Sequence, residues 1–444
     1  MTIKFGKKTI KTQKSSNKKI FFSLYFFVLI FAPPFVPYPH LWLTIVSFFL
    51  LITRYRKRAK KILNQSGIQK WILTMTVLAG YTLCIPIPIS MFCNDIVNIS
   101  HYISVINRYG VLLVTVSICG TYLFCTWERR SIDENSFIEC IINAGLIEAM
   151  CAILAFLSPA VKTFFIFFMS RFSESRLYFN TWYITVRSYG FASTLVDVFG
   201  FGVGLIAGLC FHYGIFYNKI YIFESIIIAI PALLNSRTGV LIYLFAIMLS
   251  VYYVAKIDLK KTLKVIVSIS FLLLLGKTIL DVVYTNEYTA SWVKSGFKSI
   301  SDYLKGKASN DRNDAIYSLF NVQSWEVPTF PRILFGTGHS LYGATGYRHS
   351  DIGYINEVWL FGIIGCLFLY SSIIRQSFRM INSNKAFFQL LGFLVLSAYF
   401  FFNIKGTALG YNPGAVTMFL LIFSITYFNN KYINRSVNDA KIGS

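Results

Sequence analysis

Charge is scarce in this chain. Only 14% of its 444 residues are charged, against about 25% in a soluble domain. Acidic residues are the scarcer half, 19 against 42 Lys and Arg, and no stretch is polar enough to form a separate soluble domain. The five histidines show no metal spacing such as H-E-x-x-H, so a metal site is not expected. Cys84, Cys93, Cys119, Cys125, Cys140, Cys151, Cys210 and Cys366 fit neither a zinc site nor a disulfide framework. Nearly all lie in apolar runs, where a free Cys behaves as a small hydrophobe. No small-residue cleavage site follows the first apolar run, so a removable secretory signal is not expected. No internal repeat is detectable, which counts against a transporter of inverted-repeat design.

What is abundant is apolar length. The chain is 55% hydrophobic, with mean hydropathy +0.57. Repeated apolar runs of about 15 to 23 residues predict an all-α polytopic integral membrane protein. A net charge of +23 would point to nucleic acid in a soluble protein. Here the cations sit in short loops of one parity, as membrane orientation requires, and no nucleic-acid partner is expected. The reading is a single membrane domain over 1–444, with a basic cytoplasmic tail at 1–19 and a cytoplasmic tail at 429–444. Between them fall about twelve spans, near 20–36, 40–53, 71–92, 103–125, 137–157, 191–211, 220–234, 240–253, 265–280, 352–373, 387–402 and 415–428. A large outer loop, 281–349, separates spans nine and ten. Pro86 and Pro88 should bend the outer end of the third span. A short apolar patch at 164–169 suits the membrane interface. Gly200, Gly202, Gly204 and Gly208 resemble a dinucleotide fingerprint only superficially, since no strand precedes them. Close packing through small residues is the expected use.

Polar residues at membrane depth single out two places. Polar groups there cost several kcal/mol unless paired or facing a water-filled cavity. The stretch from Arg332 to Tyr370 passes straight from a Gly-rich loop into an apolar helix. Arg348, His349, Ser350 and Asp351 crowd the junction, and Asn356 and Glu357 follow in the first two turns. Either the bundle hides these groups or they line a site, and the expectation is a site. An imidazole or carboxylate here, His349 or Asp351, could deprotonate a hydroxyl; Asp351 would equally suit a helix N-cap. The second place is Arg237, in the turn Asn-Ser-Arg-Thr-Gly at 235–239. The hairpin 220–253 looks short for two crossings of a roughly 30 Å core at about 1.5 Å per residue. Its tip should therefore lie below the outer surface, in a water-filled cavity or paired. The free N–H groups of the next helix would add a positive dipole end. A guanidinium beside them suits an anion, phosphate above all; an Arg snorkelling from a turn to headgroups is the alternative. Arg187 lies just before the sixth span.

The Ser-Arg-Thr-Gly of 236–239, the late outer loop, and the run from His349 to Gly365, HSDIGYINEVWLFGIIG, resemble the O-antigen polymerase and ligase superfamily. The portion from Ser350 to Gly365 resembles the polymerase branch. Ligases usually carry His followed by Asn at this place, whereas His349 is followed by Ser350 and Asp351. The resemblance implies a polysaccharide repeat-unit polymerase: a metal-independent glycosyltransferase at the outer face of the bacterial cytoplasmic membrane. It would move a growing glycan from undecaprenyl diphosphate onto an incoming lipid-linked repeat unit, with neither metal nor nucleotide-sugar cofactor. Asp351 or His349 would then be the base, Arg237 and Arg187 would hold the diphosphate, and Tyr354 and Tyr347 would contact glycan. The implied partners are undecaprenyl-diphosphate-linked oligosaccharide and membrane lipids, with a flippase and a chain-length regulator alongside. A ligase, or a flippase for lipid-linked oligosaccharide, is the alternative. A flippase should carry its charges in two similar halves, whereas the unusual residues here gather on the outer side of the second half and of the sixth span.

Overall fold

A computed structural model describes residues 6–93, 99–130, 133–172, 190–194, 196–257, 327–338, 352–383 and 385–442, with Arg187 and isolated positions between 266 and 305. The ninth expected span, 265–280, and the outer loop up to 326 lie outside the described residues except at those positions, as does 339–351. The described chain contains no strand. Its helices are α1 Gly6–Phe31, α2 Pro39–Arg54, α3 Arg56–Gln65, α4 Ile68–Cys84, α5 Pro86–Phe92, α6 Ile99–Arg130, α7 Glu134–Leu157 and α8 Pro159–Phe172. There follow α9 Val196–Phe216, α10 Ile220–Asn235, α11 Arg237–Ile257, α12 Arg332–Phe335, α13 Gly353–Ile381, α14 Ala386–Phe402 and α15 Pro413–Ile442. Among the described residues, six helical segments are long and apolar enough to cross a membrane. This is an all-α, multi-pass membrane protein.

Helix α9 is the hub. It is apolar all round, the pattern of a helix buried on every side, and it packs against α7, α10, α11, α14 and α15. Helix α2 shows the opposite pattern, polar within and apolar without. His40, Thr44 and Ser47 are buried, while Trp42, Ile45, Phe48 and Phe49 are exposed. A helix facing lipid on one side has this composition, because hydrocarbon is as good a solvent for Phe as the core is. The Tyr25 hydroxyl and Ser47 Oγ lie 2.7 Å apart, tying α1 to α2.

The basic connections share one end of the bundle. Lys19 Nζ pairs with Glu139 at 2.6 Å, joining α1 to α7. Lys385 pairs with Glu134. Arg58 and Lys61 reach Glu128 at 3.7 and 3.6 Å, joining α3 to the end of α6. Asn430 Nδ2 donates to the Gln65 carbonyl at 2.6 Å. The parity of the cations in the sequence thus corresponds to a common end among the described connections.

Boundaries differ from the sequence reading in several places, among them the end of α13 at Ile381 rather than 373. Helix α1 stops at Phe31, where Ala32 takes φ +46°. The prolines bend the third span as expected, splitting it into α4 and α5 at Ile85. The sixth span begins at Val196 rather than 191; residues 190–194 form a strap whose Ser193 N–H donates to the Phe31 carbonyl at 3.0 Å. Helix α15 runs on to Ile442, through most of the expected tail.

Candidate functional site

The end of the bundle opposite the basic connections gathers the starts of α9, α11, α13 and α15. Gly200, in the second turn of α9, receives the α10–α11 tip: an added Cβ would stand 2.2 Å from Ser236 Cβ. One turn on, a Cβ at Gly204 would stand 2.3 Å from the Gly239 carbonyl oxygen. The glycine series therefore serves backbone-to-backbone packing of α9 on α11, as small residues do between membrane helices. On its other side Phe201 stacks on Phe402 of α14, ring centroids 4.4 Å apart. Asn412 caps α15, its Oδ1 accepting the Ala415 N–H at 2.8 Å, with Pro413 in the first turn; Asn at the cap and Pro just inside it is the favoured helix start. Tyr411 stacks on His40 at 3.9 Å and donates to the Leu29 carbonyl at 2.6 Å.

Arg237 is the first residue of α11, and Ser236 is the only non-helical residue between α10 and α11. The length argument for the tip holds for one arm and fails for the other. Helix α10 has 16 residues, about 24 Å at 1.5 Å per residue, short of a crossing; helix α11 has 21 and runs to Ile257, about 31 Å, long enough to cross. The tip also packs on Gly200, and Asn235, Ser236 and Thr238 are all buried. Arg187 is half-buried and lies just ahead of the strap that feeds α9. The Arg237 tip thus meets the first turns of α9, whereas Arg187 precedes α9 in the chain. His349, Asp351 and Tyr347 lie outside the described residues.

Tyr354 is half-buried at the start of α13. Its hydroxyl donates to the Phe400 carbonyl at 2.7 Å and its N–H to the Asn403 carbonyl at 3.2 Å. Its hydroxyl is thus held by the bundle. Asn356 and Glu357 are hidden rather than lining an open site. Asn356 Nδ2 donates to the Ile352 carbonyl at 2.9 Å. Glu357 is fully buried and accepts from the Tyr370 hydroxyl at 2.5 Å, the Tyr399 hydroxyl at 3.2 Å, and Asn403 Nδ2 at 3.1 and 3.2 Å. Asn403 in turn accepts the Ala408 N–H at 2.8 Å. This network ties α13 to α14 and shapes the turn that leads to α15. Removing a buried acceptor strands its donors at about 1–3 kcal/mol each. Glu357→Leu should therefore lower the thermal unfolding midpoint sharply, while Glu357→Gln, which keeps an acceptor oxygen, should lower it far less. Equal loss in both would show that the carboxylate's charge, not its acceptor role, is what the bundle needs.

Sequence reasoning missed a break in α13. Gly362 has φ +65° and interrupts the helix nine residues in, a backbone region that favours glycine. Carbonyls released there find partners outside the helix. The Trp359 carbonyl accepts Thr337 N–H at 2.7 Å and Thr337 Oγ1 at 2.8 Å; the Leu360 carbonyl accepts Gly338 N–H at 3.1 Å. The Tyr81 hydroxyl lies 3.2 Å from the Phe361 carbonyl and 3.0 Å from that of Phe335. Residues 335–338 are thus docked against the break in α13, which satisfies the backbone groups that a broken helix leaves free. Beside the break lies an apolar cavity of about 90 Å³, lined by Met75, Leu78, Thr82, Tyr109, Leu113 and Phe361 among others. The Phe-Gly-Ile-Ile-Gly run was the available signal, since a glycine in a helix interior needs a reason.

Among the described residues no three His, Cys, Asp or Glu side chains come together as a metal site needs. The end that gathers these helix starts can do one thing chemically: helix N-termini carry a partial positive charge that favours an anion. No known protein family, curated protein or solved structure matches this chain.

Proposed function

We propose that the protein is a polysaccharide repeat-unit polymerase of the cytoplasmic membrane, with about twelve spans, cytoplasmic termini and the loop 281–349 outside. One observation carries the reading: Arg237 opens α11 at a sunken tip, at the end of the bundle where α9, α13 and α15 also begin. Such a place suits a diphosphate reached from outside. The donor is a glycan on undecaprenyl diphosphate. A hydroxyl of the incoming lipid-linked unit attacks the donor's anomeric carbon. The new glycosidic bond forms as the bond to the diphosphate oxygen breaks, and that oxygen keeps the electron pair. Asp351 takes the hydroxyl proton, with His349 beside it. Arg237, Arg187 and the helix starts offset the charge that grows on the leaving diphosphate, an effect exerted mainly in the transition state. Tyr354 and Tyr347 contact the sugars.

The base is tested by substitution in cells. Asp351→Asn should reduce polymer to single repeat units at unchanged protein abundance, while His349→Gln should shorten chains only in part. Asn can still cap a helix, so the comparison separates proton transfer from capping. Normal chain length in Asp351→Asn cells would remove Asp351 from the mechanism.

A further inference from the structure

We propose that α3, with the adjoining ends of α2 and α4, is a binding surface for the headgroups of anionic phospholipids. The inference needs only the membrane setting and is independent of the polymerase reading.

Helix α3 is short, strongly basic and folded on one face. Ile62 is fully buried, Ala59 and Leu63 are half-buried, and Arg56, Lys57, Lys60 and Lys61 are exposed. At about 100° per residue those four cations fall on one arc opposite Ile62. Glu128 takes up Arg58 and Lys61. Arg54, Arg56, Lys57 and Lys60 have no ion pair among the described residues, and all four are exposed.

The level of this patch identifies its partner. On α2, Phe48, Phe49 and Ile52 are 50%, 66% and 53% exposed, a hydrocarbon-facing surface, and Arg54 follows two residues later. On α4 the same change runs in reverse: Lys70 is exposed, and Leu73, one turn on, is 63% exposed. Lipid-facing apolar side chains thus give way to unpaired cations on both helices flanking α3. That is the headgroup level. Clusters of four to eight Lys and Arg beside a span attract anionic lipid at about 1 kcal/mol per residue, and Arg grips phosphate oxygens two at a time. A soluble polyanion would meet the hydrocarbon-facing rim and gain nothing from it. A signal for orientation alone would not need its cations arrayed on one arc of an amphipathic helix.

The test uses the purified full-length chain in a neutral detergent, titrated with dioleoyl phosphatidylglycerol or dioleoyl phosphatidylcholine. Bound lipid is counted by native mass spectrometry, and thermal unfolding is followed in parallel. Phosphatidylglycerol should bind about tenfold or more tightly than phosphatidylcholine and raise the unfolding midpoint. Arg54→Gln/Arg56→Gln/Lys57→Gln/Lys60→Gln should lose that preference. Lys219→Gln/Lys256→Gln/Arg375→Gln/Arg379→Gln, which removes as many charges elsewhere, should keep it. If the fourfold variant does not fold, Arg54→Gln/Arg56→Gln and Lys57→Gln/Lys60→Gln should each lose a clear part of the preference. Glycerol 3-phosphate should not reproduce the rise in midpoint. An undiminished preference in the α3 variants, an equal loss in the control variant, or the same stabilisation by glycerol 3-phosphate would each overturn the proposal.

Discussion

Gly204→Val is expected to leave little or no folded protein in the membrane. A Cβ at this position would lie 2.3 Å from the Gly239 carbonyl oxygen and 2.9 Å from its Cα. Both are backbone atoms, so no rotamer change relieves the contact; α9 and α11 must separate. Overpacking a core ordinarily costs about 1–3 kcal/mol when side chains can adjust, and here they cannot. Because α9 also packs on α7, α10, α14 and α15, its displacement disturbs the whole second half of the bundle. Gly80→Val is the comparison, since nothing lies within 4 Å of a Cβ there. The check is the yield of monodisperse protein after solubilisation, with the unfolding midpoint of what survives. Normal yield and midpoint for Gly204→Val would mean that the close approach of α9 to α11 is wrong.

Arg237→Ala should abolish chain growth while the protein still accumulates. If the guanidinium makes two charge-assisted bonds to the donor diphosphate, losing them removes about 3 kcal/mol or more, slowing transfer roughly a hundredfold or more. Arg237→Lys keeps the charge but not the planar fork, and should fall between. Cells should then carry single repeat units in place of long chains. Purified variants should bind a lipid-diphosphate glycan more weakly, with little change for a lipid lacking the diphosphate. Full-length polymer in Arg237→Ala cells at normal abundance would leave Arg237 a snorkelling turn residue and end the phosphate-site argument.

Much of the architecture was legible because its signals are local. Apolar length marked α7 and α14 to within about three residues and the start of α13, though not its end at Ile381, and Pro86 marked the α4–α5 bend. The glycine series in α9 was read correctly because spacing of small residues is itself the packing signal. Other features depend on partners far along the chain. Glu357 looked like a site residue because the sequence shows one carboxylate and not its donors, which lie 13, 42 and 46 residues away. The break at Gly362 had only the glycine itself as a signal, since Tyr81 and Thr337 complete it from elsewhere. The hairpin-length argument for the Arg237 tip holds for the 16-residue α10 but not for the 21-residue α11, and the packing of the tip on Gly200 of α9 was not legible at all.

The most direct test of the polymerase reading is reconstitution. The purified chain is placed in liposomes with a synthetic lipid-diphosphate-linked repeat unit, a metal chelator and no nucleotide sugar. The expected result is a ladder of products lengthening by whole repeat units, with lipid diphosphate released at each step and no ladder from Arg237→Ala. The contradicting result is a repeat unit that stays single, whether it remains in place or crosses the bilayer unchanged.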